Sequence, residues 1–100
     1  MKEERIDLEQ DKKDFIDALN ALNELAEAFW DQDEPERACL TECQIYESSR
    51  KILGPDNPDT LKAMHNYALG LAKVGRDEEA AKILNEYLDL LEEYEKKHPQ

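Results

Sequence analysis

One hundred residues with 40% apolar and 38% charged content make one small domain, and three glycines and four prolines are too few for a sandwich or barrel. The formal charge is −12, of which residues 1–50 carry −9 (15 acids, 6 bases) and residues 51–100 carry −3 (10 acids, 7 bases). That field repels phosphate backbones and anionic bilayers and attracts basic partners, so no nucleic acid and no membrane are expected.

No apolar run approaches the ~20 residues of a bilayer span. The leader MKEERIDLEQDKKD has no signal-like apolar core, and two cysteines in an acidic chain fit a reducing compartment. The expected location is cytoplasmic.

The first predicted helix carries apolar residues at Phe15, Leu19, Leu22, Ala26 and Phe29, with Ile16 and Leu25 widening the stripe. Ile6 and Leu8 extend that stripe into the charged leader, so the helix begins before Phe15. It stops at Asp31-Gln32-Asp33-Glu34, and Pro35 suits the first position of a second helix, which runs to Leu53 with Ala38, Leu40, Ile45, Ile52 and Leu53 available for burial. In the stretch LGPDNPDT, Gly54 can take the left-handed backbone that ends a helix and Pro55 forbids continuation. Asn57 can cap the third helix and Pro58 can open it. That helix runs to Val74 on a face of Leu61, Met64, Tyr67, Ala68 and Leu71, and Gly75 breaks it. The fourth runs from Asp77 to Lys96, with Ala80, Ile83, Leu84, Tyr87, Leu88, Leu91 and Tyr94 inward.

Four helices make two hairpins, and the hairpins superpose at an offset of 42 residues. Leu19 meets Leu61, Ala21 meets Ala63, Ala26 meets Ala68 and Ala38 meets Ala80. Small residues at these places let helix axes approach closely, so the identities fall where packing needs them. The expected architecture is all-α, a single domain of residues 1–100. Residues 1–15 are a charged leader, 16–57 the first repeat and 58–99 the second.

The stretches ALNELAEAFWDQDEPERA (21–38) and AMHNYALGLAKVGRDEEA (63–80), with the connector RKILGPDNPDTL (50–61) between them, resemble tetratricopeptide repeats, and the connector resembles the long-period kind of kinesin light chains. One departure is Asp33, which stands where glycine usually ends the first helix. The resemblance implies a short right-handed solenoid in which the first helix of each repeat lines a concave groove for a peptide or helix of another protein. It places Asn20, Asn23, Glu24, Glu27, Trp30 and Asp31 in the groove from repeat one, and Lys62, His65, Asn66, Leu69 and Lys73 from repeat two. These positions fall opposite Leu25/Phe29 and Tyr67/Leu71 on their helices. Asn66 stands where relatives use an asparagine to grip a ligand backbone, a task suited to an amide that both donates and accepts. Trp30 is either an aromatic anchor in the groove or a side chain lying against the neighbouring repeat. With Glu24, Glu27 and Asp31 at one end of the groove, a protein or peptide segment carrying basic residues is the expected partner.

Chemistry finds little footing. Cys39 and Cys43, four apart on one helix, could supply half a metal site, but the other half is missing and both suit a core. His65 has no serine or cysteine placed to serve as its nucleophile, the carboxylates are spread over helix surfaces, and three isolated glycines make no phosphate loop. No enzyme activity, cofactor or metal is expected. The alternative to an interaction module is a structural or self-associating repeat unit. In support, the fourth helix carries more apolar residues than one packed face can use, so Ile83, Leu84, Tyr87, Leu90, Leu91 and Tyr94 are expected to join a second copy or a further repeat.

Overall fold

The computed structural model describes residues 7–99, and among them lie four helices and no strand. Helix α1 spans Leu8–Asp31, α2 Pro35–Leu53, α3 Pro58–Lys73 and α4 Asp77–Lys97. Each is started by local chemistry. The Asp7 carboxylate accepts from the Gln10 N–H at 3.1 Å, Pro35 and Pro58 open α2 and α3, and the Asn57 amide oxygen accepts from the Asp59 N–H at 2.8 Å. Asp77, Glu78 and Glu79 complement the positive end of α4.

The two hairpin turns are copies of each other. In the first, the Asp33 N–H donates to the Trp30 carbonyl and the Glu34 N–H to that of Phe29; in the second, the Gly75 N–H donates to Ala72 and the Arg76 N–H to Leu71. This pair of bonds closes a helix around one left-handed residue. Gly75 takes that conformation with φ +85°, and Asp33, 42 residues earlier, takes it with φ +59° despite its Cβ. Gly54 ends α2 with φ +100°.

Consecutive helices pack against each other, α1 on α2, α2 on α3 and α3 on α4, giving two antiparallel hairpins stacked as a short helical-repeat solenoid. The alanines expected at the helix crossings are buried: Ala26, Ala38, Ala68 and Ala80 are 2, 0, 0 and 4% exposed. Around them Leu19, Ile45, Tyr46, Ala63 and Met64 form one buried cluster, and Cys39, Leu71 and Ala80 a second.

The buried stripes are narrower than the sequence suggests. Leu25 and Leu88 are exposed because α1 and α4 each have one packed neighbour, which covers only the Leu19/Ala26 face and the face around Ala80. Leu40, expected inside, is 60% exposed; at ~100° per residue it points almost opposite Ala38. Ile52 is exposed in the last turn of α2, where the chain leaves the helix. The helix does begin before Phe15, but Leu8 is exposed, and Ile6 lies outside the described residues. Leu90, expected at an interface, packs half-buried on the first cluster within its own chain, as do Ile83 and Tyr87; Leu88 is exposed, and Leu91 and Tyr94 are half-buried.

Two stability outcomes follow. Asp33→Gly should raise stability by ~0.5–1 kcal/mol, because glycine has no Cβ to oppose the left-handed backbone. Ala68→Leu should lower stability by ~1–3 kcal/mol through overpacking of a site with no free space. Urea denaturation of each variant against wild type measures both.

Candidate peptide-binding groove

The first helices of the two hairpins, α1 and α3, run side by side. Among the described residues no Cα of α1 lies within 8 Å of α3, so side chains alone bridge them. Between them is a narrow cleft of about 30 Å³, lined by Asn20 and Asn23 of α1, Lys62 and Asn66 of α3 and the apolar floor Ile16, Leu19, Ile45 and Ala63. Four of the expected groove residues therefore meet. Asn23 and Asn66 are half-buried, Asn20 and Lys62 exposed. None of the three amides hydrogen-bonds another side chain among the described residues. The cleft itself admits about one water molecule, so a ligand must lie along its rim.

The remaining positions distribute differently. Glu24, Glu27, Asp31 and Leu69 are exposed on the surfaces of α1 and α3. His65 turns away from α1 toward α4, its ring 5.1 Å from that of Tyr87. Trp30 and Lys73 belong to each other, with the ammonium 4.7 Å from the indole centroid.

Trp30 reveals a residue that sequence reasoning missed. Its Nε1–H donates to Glu42 Oε2 at 3.2 Å, bringing a side chain of α2 between α1 and α3. Glu42 Oε1 is buried without a partner. A Cβ at Gly70 would overlap that oxygen and touch Trp30 Cζ2 at 3.4 Å, so the absent side chain of Gly70 makes room for the carboxylate. The signal in the sequence was faint: the repeat counterpart of Gly70 is Ala28, small at both places. Burial pushes the Glu42 carboxyl above the ordinary carboxylate range, partly opposed by the Trp30 hydrogen bond and the Lys73 charge.

A broader cleft of about 470 Å³ lies elsewhere, between the exposed side of α2 and the α3–α4 turn, with Leu40, Cys43, Tyr67 and Val74 on its walls and Arg76 at its edge. Arg76 is held there by a two-pronged pairing with Glu79, at 2.7 Å for each bond. Burial first, and then the Glu42 charge, push the thiol of Cys39 up, which keeps it protonated and a poor nucleophile at neutral pH. Among the described residues no group of three or more histidines, cysteines or carboxylates is placed to hold a metal ion, and no helix is long and apolar enough to cross a membrane.

A family profile described as the tetratricopeptide repeat matches residues 17–93. The chain belongs to the tetratricopeptide repeat family. Its paired antiparallel helices are consistent with this repeat, whose members generally mediate protein–protein interaction. Neither the curated proteins nor the solved structures gave a match.

The raised Glu42 carboxyl has a defined pH signature. The folded state holds this proton to a higher pH than the unfolded chain does, so the group's contribution to stability is complete at low pH and is lost as pH rises through the folded value. Fluorescence of Trp30, the single tryptophan, should titrate with a midpoint above the ordinary carboxylate range. Glu42→Gln should abolish that titration and should melt no lower than wild type at neutral pH.

Proposed function

We propose that this tetratricopeptide repeat chain is a non-catalytic adaptor or scaffold module that holds an extended peptide segment of another protein along the α1/α3 cleft. The observation that carries this reading is the meeting of Asn20, Asn23 and Asn66 around one cleft with their amides unengaged. An amide that donates and accepts grips a peptide bond irrespective of its side chain, and three of them on two helices fix a direction for the segment. Exposed Glu24, Glu27 and Asp31 on α1, within a chain of net charge −12, favour a segment with basic residues. Lys62 stands ready for a ligand carboxylate or carbonyl, while Trp30 and Lys73 close the far end. The LGPDNPDT connector supports the long-period, kinesin-light-chain-like subtype, and the acidic composition fits a cytoplasmic scaffold. Self-association through α4 is a second reading, favoured by half-buried Tyr87, Leu91 and Tyr94 beside exposed Leu88.

A displayed random-peptide library panned on the wild-type chain should enrich segments with lysine or arginine. Their binding should weaken with added salt, since charges separated by more than ~8–10 Å are screened at ordinary ionic strength. Asn66→Ala should cost the selected peptides about 1 kcal/mol of affinity, the worth of one hydrogen bond, with an unchanged melting temperature. Unchanged affinity would remove the cleft from this reading.

A further inference from the structure

The 42-residue period relates two clefts. Leu61, Lys62 and His65 of α3 and Tyr87, Leu91 and Tyr94 of α4 line a surface cleft of about 290 Å³. Subtracting the period gives Leu19, Asn20 and Asn23 of α1 and Ile45, Ser49 and Ile52 of α2. In repeat one α3 lies over most of that surface and leaves a cleft of only about 30 Å³. Ile45 and Ser49 are buried there, whereas their counterparts Tyr87 and Leu91 are half-buried; Ile52, at the end of α2, is exposed and its counterpart Tyr94 half-buried. The α3/α4 cleft is thus a seat for a helix of the α3 kind.

The matching face is also open, on α1. Helix α3 meets repeat one through Ala63, which lines the narrow cleft, and through Gly70, which abuts Trp30 and Glu42; both are buried. Their counterparts on α1 are Ala21, exposed, and Ala28, half-buried, with exposed Leu25 between them. The charges match as well. Across the narrow cleft Asn66 shares a site with Asn20 and Asn23. The period replaces Asn66 by Glu24 and the two α1 amides by Lys62 and His65, so an amide cluster becomes an acid facing the Lys62 ammonium, with the His65 imidazole beside it.

We infer that a second copy of this chain seats its α1 in the α3/α4 cleft, head to tail, in the register in which α3 packs on repeat one. The small Ala21 and Ala28 permit close approach to Tyr87 and Leu91, and Glu24 of the incoming copy lies beside Lys62 and His65. The two faces differ, so each added copy leaves one of each open, and association is open-ended rather than closed at a dimer. This inference rests on the self-association reading above and adds the surfaces and register. It does not depend on peptide binding.

Sedimentation velocity of the 100-residue chain at rising concentration should show dimers and then longer species. Ala21→Arg, which spoils the α1 face, and Leu91→Glu, which spoils the cleft, should each weaken association by about tenfold or more, equivalent to about 1.4 kcal/mol. An equimolar mixture of the two should form a 1:1 dimer that grows no further, because each variant retains the face the other lost. Glu24→Lys should weaken association, and mixing it with Lys62→Glu should restore it. Circular dichroism melts confirm that the variants fold, and Tyr94→Glu replaces Leu91→Glu if the latter melts early. A wild type that stays monomeric overturns self-association altogether and leaves the cleft to a helix of another chain or of a following repeat. Undiminished association of Ala21→Arg overturns the head-to-tail arrangement alone and leaves a contact through α4.

Discussion

The fold depends on how closely its helices can pack, and each of the four contributes a buried alanine to that packing. Ala26 on α1, Ala38 on α2, Ala68 on α3 and Ala80 on α4 are buried, none with more than 4% of its surface exposed. A side chain of one methyl group lets two helix axes come together while Leu19, Ile45, Met64 and Leu71 fill the space around the crossing. The inner helices carry most of the core: α2 and α3 each hold six or more buried residues, against two in α1 and one in α4. A two-repeat solenoid is therefore a sandwich of two well-covered helices between two half-covered ones, and every exposed apolar side chain of the outer pair follows from that arrangement.

Much of this was legible because it is local. Gly54, Asn57 and Pro58 act within a few residues of themselves, and each does in the fold what its side chain allows. The hairpin turn at Asp33 departs from glycine in sequence but not in geometry; the same two closing hydrogen bonds form at both turns, and the aspartate bears the left-handed backbone. Asn20, Asn23, Lys62 and Asn66 were placed in one groove by the family resemblance; of the four only Asn20 and Lys62 are related by the 42-residue offset. The width of each buried stripe was not. Periodicity counts apolar residues on a helix without counting the helices that will cover them, and Leu25, Leu40 and Leu88 lie outside what a single or double neighbour reaches. Glu42 was invisible for a related reason, because its partnership with Trp30 crosses a turn and depends on the side chain missing at Gly70.

That partnership shapes the groove. Burying a carboxylate with one oxygen unpartnered costs free energy, and the Trp30 hydrogen bond and Lys73 charge offset only part of it. What the arrangement supplies is a joint. Helices α1 and α3 run alongside each other without close backbone contact, and Trp30, Glu42 and Lys73 tie them together near their C-terminal ends. Toward the N-terminal ends, Asn20 and Lys62 remain exposed across the cleft from each other. The cleft is consequently bridged by side-chain contacts at one end and lined by unengaged amides at the other.

The same geometry links the two proposed activities. A head-to-tail stack places α1 of one copy beside α3 of the next, in the relation that α1 and α3 hold within a single chain, so each association event creates another cleft of the same kind. That new cleft carries Lys62 and His65 on one wall and Glu24 on the other in place of three amides, and it lacks the tryptophan joint, because the counterpart of Trp30 is Ala72. A peptide long enough to cross from an internal cleft to an interchain one contacts two copies at once. On these two proposals it would bind the stack better than the single chain and, by the reciprocity of coupled equilibria, favour the stack by the same factor. Lys62 lines both clefts, so on the two proposals above it would couple peptide charge to copy-to-copy contact.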